Sequence, residues 1–244
     1  MKPLAQEETG AMDVGTDIAQ ARALILGIGN LLWADEGFGV RAVEELHARF
    51  EFPDNVRVMD GGTQGIYLVQ HIRDADILVV FDAVDYGLAP GTMKLVEGDE
   101  VPKFLGAKKL SLHQTGFQEV LAMAEMMGDY PSHLLLVGVQ PVELDDYGGS
   151  LRPQVRAQIG PAIDAALAFL SSHGVEAIGR SHPLAEDDTI ASLEMTLRRY
   201  ETGRPDAQAA FRHGDERVLV PGGWQGPRDF EAEIDEILSS PTRR

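Results

Sequence analysis

Three short runs of this chain are too uniformly apolar to leave either face in water. They are Ala23–Gly29 (ALILGIG), Ile77–Phe81 (ILVVF) and His133–Val139 (HLLLVGV). Strands buried on both faces read this way, and they belong to parallel sheets covered by helices. The segments between them have helical spacing. Gly39–Phe50 places Val40, Val43, Leu46 and Phe50 on one stripe, Gln64–Ile72 does the same with Ile66, Leu68, Val69 and Ile72, and Gln114–Met127 with Phe117, Val120, Leu121 and Ala124. Further strands are expected at Asn55–Met59 and Thr92–Gly98, and a long helix at Arg152–Ser171. Strands alternating with helices imply right-handed crossovers. The expected fold is a three-layer α/β domain, with a twisted, mostly parallel sheet between helices.

In such a sheet the loops after the parallel strands share one edge, and ligands bind in the crevice outside it. Three polar residues fall there: Glu36 in the loop after the first strand, Asp82 directly after ILVVF, and His113 just before a helix. Two carboxylates and an imidazole suit a borderline divalent ion such as zinc or nickel. Each has a plainer reading. Asp35 or Glu36 could cap the helix that begins near Gly37, although capping needs only one of them. Asp82 could equally brace the turn that follows. A lone histidine such as His113 is more often structural than a ligand.

The glycines of Gly27-Ile28-Gly29 suggest a dinucleotide loop, but that fingerprint needs a third glycine where Leu32 stands. The carboxylates of Asp35 and Glu36 would also occupy the pyrophosphate position. The simpler reading is a tight turn across the sheet edge. Asp60-Gly61-Gly62-Thr63 reads either as a permissive turn with Thr63 capping the next helix, or as a backbone loop open to an extended peptide.

Composition removes several function classes. A net charge of −18 and a pI near 4.7 argue against nucleic acid and against an anionic membrane surface. The chain has no cysteine, which excludes disulfides, thiolate catalysis and thiolate metal sites. No apolar run approaches the roughly 20 residues of a membrane span. The first 20 residues are polar and acidic, unlike a secretory signal, so residues 1–20 are expected to be a disordered leader and the protein cytoplasmic. Past Gly179 the texture changes to scattered charge, glycine and proline, with helical patches at Asp188–Tyr200 and Asp229–Leu238. Residues 21–180 are therefore expected to form the main domain, and residues 181–244 a C-terminal extension that is partly helical or disordered.

The segments GIGNLLWADEGFGVRAVEEL, MDGGTQG, VVFDAVDYGLAPGTM, SLHQTGFQEVL and LLVGVQPVEL resemble, in order and spacing, the maturation endopeptidases of nickel–iron hydrogenases. The resemblance implies an aspartyl-type endopeptidase. It would remove a C-terminal peptide from the precursor of the hydrogenase large subunit after nickel insertion. It also implies that Glu36, Asp82 and His113 form the catalytic, metal-contacting trio and that Asp60, Gly61, Gly62 and Thr63 meet the substrate. The ion would be nickel supplied by the substrate, with no resident cofactor. Asp60 or Asp82 acting as general base on a water is a second mechanism. Two other classes stay open: a zinc metallohydrolase with resident metal, and a non-catalytic nickel-sensing chaperone of the large subunit.

Overall fold

The computed structural model describes residues 21–102, 112–190 and 192–204, and for residues 112–116 the backbone alone. The elements that position the site are β1 (Ala23–Ile28), α1 (Phe38–Arg49), β2 (Phe50–Glu51), β3 (Val56–Gly62), α2 (Val69–Arg73), β4 (Ile77–Ala83), β5 (Met93–Glu97), α3 (Leu112–Met126), β6 (His133–Val139), α4 (Pro153–Arg156), α5 (Ile159–Ser172) and β7 (Ile178–Gly179). The main sheet runs β3-β1-β4-β6-β5, parallel except for β5, while β2 and β7 form a small antiparallel pair. The α/β expectation holds. β5 is an edge strand, which is why Lys94 and Glu97 are tolerated in it.

The period-2 alternation of the strands builds two cores. Ile25, Val79, Phe81 and Val137 face α1 and α5, packing with Phe38, Leu46 and Ile163. Leu24, Leu26, Leu78, Val80 and Leu136 face the other way, packing with Ile72 of α2 and with Phe117 and Leu121 of α3. All of these are fully or almost fully buried.

The long helix expected over Arg152–Ser171 is broken into α4 and α5. Pro161 is the cause. Its missing N–H and fixed φ suit a first helical turn, so a new helix starts just before it. The expected helix at Asp188–Tyr200 is replaced by two tight turns, Glu186–Asp188 and Leu193–Met195, before a helix at Leu197–Gly203. The hydroxyls of Thr189 and Thr196 donate to the carbonyls of Glu186 and Leu193, a local bond that competes with regular helix. The expected helix at Asp229–Leu238 lies outside the described residues, as does the leader over residues 1–20.

The first compact unit extends to Arg199, and a second unit covers Tyr200–Arg244. Within the first, the chain after β7 runs back along α1. Arg180 and Leu184 donate their N–H groups to the carbonyls of Arg49 and Ala48, and the Arg41 guanidinium donates to the Met195 carbonyl at 2.6 Å. The contacts of the first unit thus continue past the boundary expected near Arg180.

Two glycines let α1 lie against the sheet. A Cβ on Gly39 would stand 2.2 Å from the carbonyl oxygens of both Ile28 and Phe81, and one on Gly27 would stand 2.3 Å from the Gly39 carbonyl. The Gly27-x-Gly29 pattern thus serves helix–strand approach. Gly39→Ala forces α1 away from β1 and β4. It is expected to cost about 2 kcal/mol, the usual scale of overpacking, read as a lower urea midpoint.

Candidate active site

The strand order reverses between β1 and β4, because the chain first adds β3 on one side of β1 and then returns to place β4 on the other. This is the topological switch point at which open α/β sheets bind ligands. Glu36 reaches it from a single 3-10 turn, Ala34–Gly37, that follows β1, and Asp82 reaches it as the penultimate residue of β4. Burial raises the pKa of both carboxyls. Asp82 is 5% exposed and is pushed well above the usual carboxylate range by desolvation, with the Glu36 charge adding to the rise and the Ala83 N–H opposing it. Glu36 is raised by desolvation and then by the Asp145 carboxylate. The Glu36 charge is thus near enough to be felt at Asp82.

Asp82 continues the parity of Leu78 and Val80, so it faces the layer formed by α2 and α3. His113 is the second residue of α3, one turn before the buried Phe117. The backbone therefore brings the His113 position to the layer that Asp82 faces; its side chain lies outside the described residues. Among the described residues no group of three metal-binding side chains is assembled.

Asp60–Thr63 belongs to the same sheet edge but differs in detail from its expected role. Gly61 is the extra residue of a β-bulge, since Gly27 pairs with Asp60 and Ile28 with Gly62. Gly62 has φ +42°, and its carbonyl accepts the Gly29 N–H at 3.1 Å, tying this loop to the one after β1. Thr63 caps nothing: the next turn is preceded by Gln64, with no side-chain cap. Asp60 follows the parity of Val56 and Val58, so it faces the α1 layer, away from Asp82. That separation leaves Asp82 better placed than Asp60 to act on a group held by Glu36.

Two residues that hold the site loops escaped the sequence reading. Asp35 caps no helix. Its fully buried carboxylate accepts the N–H groups of Val142 at 2.8 Å, Glu143 at 2.9 Å and Arg152 at 2.7 Å, fastening the loop after β6 to the turn that carries Glu36. Gln140 accepts the N–H groups of Tyr86 and Leu88 through Oε1 and donates from Nε2 to Asp85, which fastens the loop after β4. A carboxylate in a strand-to-helix loop was the only available signal for Asp35, and it does not distinguish a cap from a loop clamp. Tyr86 forms a wall beside Asp82. Its hydroxyl is seated where a Cβ on Gly138 would be 2.0 Å away, and burial together with the Asp82 charge raises its pKa.

The fold is a doubly wound sheet that carries a half-buried Glu36 and a buried Asp82 at its switch point. The comparisons give the particular family. Residues 40–169 match the hydrogenase maturation protease family. The chain is 65% identical over 213 residues to the hydrogenase expression/formation protein HupD of Thiocapsa roseopersicina, covering 84% of this chain and 96% of that one. It is 45% identical over 160 residues to the hydrogenase 2 maturation protease of Escherichia coli, covering 65% and 96%. The solved structure of the maturating endopeptidase HybD from E. coli superimposes with a TM-score of 0.63 at 43% identity, over 66% of this chain and 98% of that one. The chain belongs to the hydrogenase maturation protease family and is a peptidase. No helix among the described residues is long and apolar enough to cross a membrane.

Proposed function

We propose that this protein removes a C-terminal peptide from the large-subunit precursor of a nickel–iron hydrogenase, and that it acts on the nickel-loaded form. The observation that carries this reading is the half-buried Glu36 beside the buried Asp82 at the switch point, each raised by desolvation and by a neighbouring negative charge. Such a pair gains most by taking up a cation, because the cation relieves both the repulsion and the cost of burial. The family resemblance and the position of the α3 backbone support His113 as the third contact. The ion belongs to the precursor, so productive docking waits for nickel insertion. The ion polarises the scissile carbonyl or activates a water, and the loop Asp60–Thr63 holds the extended peptide beside it. The reaction runs in the cytoplasm.

The test is incubation with nickel-loaded and nickel-free precursor, read by intact mass. The enzyme is first stripped with chelator, and the chelator is then removed. Loss of the C-terminal peptide only from the nickel-loaded precursor is the expected result. Activity that returns only with added zinc would instead establish the resident-metal hydrolase, and binding without any mass change would establish the chaperone.

A further inference from the structure

Large apolar side chains stay exposed mostly where the parallel strands end. Among the described residues, Leu32 follows β1, Ile66 and Tyr67 follow β3, Leu88 follows β4, and Val142 and Tyr147 follow β6. The remaining ones are on β5, at the end of α3 and on β7. A single exposed apolar residue is ordinary, whereas a set of them around a polar crevice marks an interaction surface. Here every loop that follows a parallel strand contributes to the set.

The most firmly built part joins the loops after β1 and β6. The backbones of Trp33 and Tyr147 form an antiparallel bridge, and the Gly148 N–H donates to the Leu32 carbonyl at 2.7 Å. The two rings meet edge to face, with centroids 5.2 Å apart. Tyr147 is therefore held in place although it is 56% exposed, and Trp33 is half-buried beside it. Side chains fixed before binding lose little freedom when a partner arrives, and Trp and Tyr dominate the energetics of protein interfaces. This pair also adjoins the chemistry. The Glu36 N–H donates to the Trp33 carbonyl at 2.9 Å. A turn closed by such a bond keeps its ends within about 7 Å, roughly two residues of extended peptide. The β6 loop backs that turn, since a Cβ on Gly149 would stand 2.9 Å from the Ala34 Cβ.

We propose that Trp33 and Tyr147 form a ledge that holds an apolar side chain of the precursor's C-terminal segment, a few residues from the bond that is cut. The proposal rests on the reading of the protein as the protease of that precursor. The occupant is the precursor and not a second copy of this chain. The ledge is continuous with the crevice of Glu36 and Asp82, through which the cleaved segment passes. A second copy would bring a net charge of −18 against an edge that already carries Glu36, Glu143 and the exposed Asp145. Binding on the ledge is made equally before and during the chemical step, so its loss raises KM and leaves kcat in place.

The experiment measures cleavage of nickel-loaded precursor over a range of concentrations by the full-length protein and by Tyr147→Ser, Tyr147→Phe and Ile178→Ser. Tyr147→Ser is expected to raise KM about tenfold or more with kcat within about twofold, the pattern of a lost binding anchor. Tyr147→Phe keeps the ring and should stay close to the parent. Ile178→Ser removes an exposed apolar side chain of β7 and should change neither constant. Apolar precursor residues near the cut bond are then replaced one at a time by alanine. One replacement should raise KM with the parent and add nothing with Tyr147→Ser, the mark of a direct contact. If Tyr147→Ser does not fold, the same cycle is run with Leu32→Ser. An unchanged KM, a fall in kcat alone, or full additivity with every precursor replacement overturns the proposal. If the parent binds the precursor without cutting it, the functional reading has failed. The comparison is then made on Kd, where about tenfold weaker binding by Tyr147→Ser supports the ledge and equal binding overturns it. A precursor that the parent neither cuts nor binds overturns both.

Discussion

Asp82→Asn is expected to abolish precursor cleavage and, at neutral pH, to make the protein more stable than its parent. The loss of activity should be about a thousandfold, within the range for removing a group that works on the reacting atoms. Asparagine keeps the shape and can still accept the Ala83 N–H, so packing is preserved. What it removes is a buried negative charge beside Glu36. The sign follows from proton linkage. The Asp82 pKa is raised in the folded protein. Over the range between the ordinary carboxylate value and the raised one, the native state holds more protons than the unfolded chain, so stability falls as pH rises. The substituted amide has no such proton to lose. The variant and its parent should be nearly equal near pH 4, and the gap should open in the variant's favour as pH climbs through the native pKa. Thermal unfolding at pH 5 and pH 8 reads this directly. A gain of roughly 3–6 °C at the higher pH is the scale that about 1–2 kcal/mol produces in a domain this size. An inactive variant that is less stable at pH 8 would mean that Asp82 is braced by the fold and not held in tension for a ligand.

That tension is only half visible in the sequence. The position of Asp82 can be read directly, because the apolar residues before it fix a buried strand whose end meets the crevice. The sheet layers can be read for the same reason: Leu78 and Val80 alternate with Val79 and Phe81, and each set finds a different helix layer. The loop architecture cannot be read. Asp35 and Glu36 are adjacent carboxylates in one turn, and nothing in local sequence says which bonds to backbone more than a hundred residues later. The Gly61 bulge is equally hidden, since two glycines permit a bulge without specifying it. The chain that returns after β7 escapes a reading by pattern because its few apolar residues show no period. It is held by hydrogen bonds from backbone and from Arg41 and by Ile190 against the core, which composition cannot anticipate.

Asp35→Ala is expected to be the most destabilising single change at the site, at about 3–5 kcal/mol, a large share of the usual 5–15 kcal/mol. One carboxylate accepts three backbone N–H groups, and bonds to a charged acceptor contribute roughly 1.5–3 kcal/mol each. The bonds from Val142, Glu143 and Arg152 are only partly buried. Water recovers some of the lost bonding, which keeps the total below the sum. The cost is also functional. The clamp holds the loop carrying Asp145, whose charge helps raise the Glu36 pKa, and it sits next to Glu36 itself. Releasing it lets Glu36 drift from Asp82, so cleavage should fall along with stability. Asp35→Asn separates the two effects. Its oxygen can serve the N–H groups on one side, but its amide then faces an N–H on the other, so it should lose less stability than alanine while still displacing the loop. Urea unfolding of both variants, with the m-value checked against the parent, gives the ordering. Equal stability of Asp35→Ala and the parent would mean that water replaces the clamp at no cost and that the β6 loop is held elsewhere.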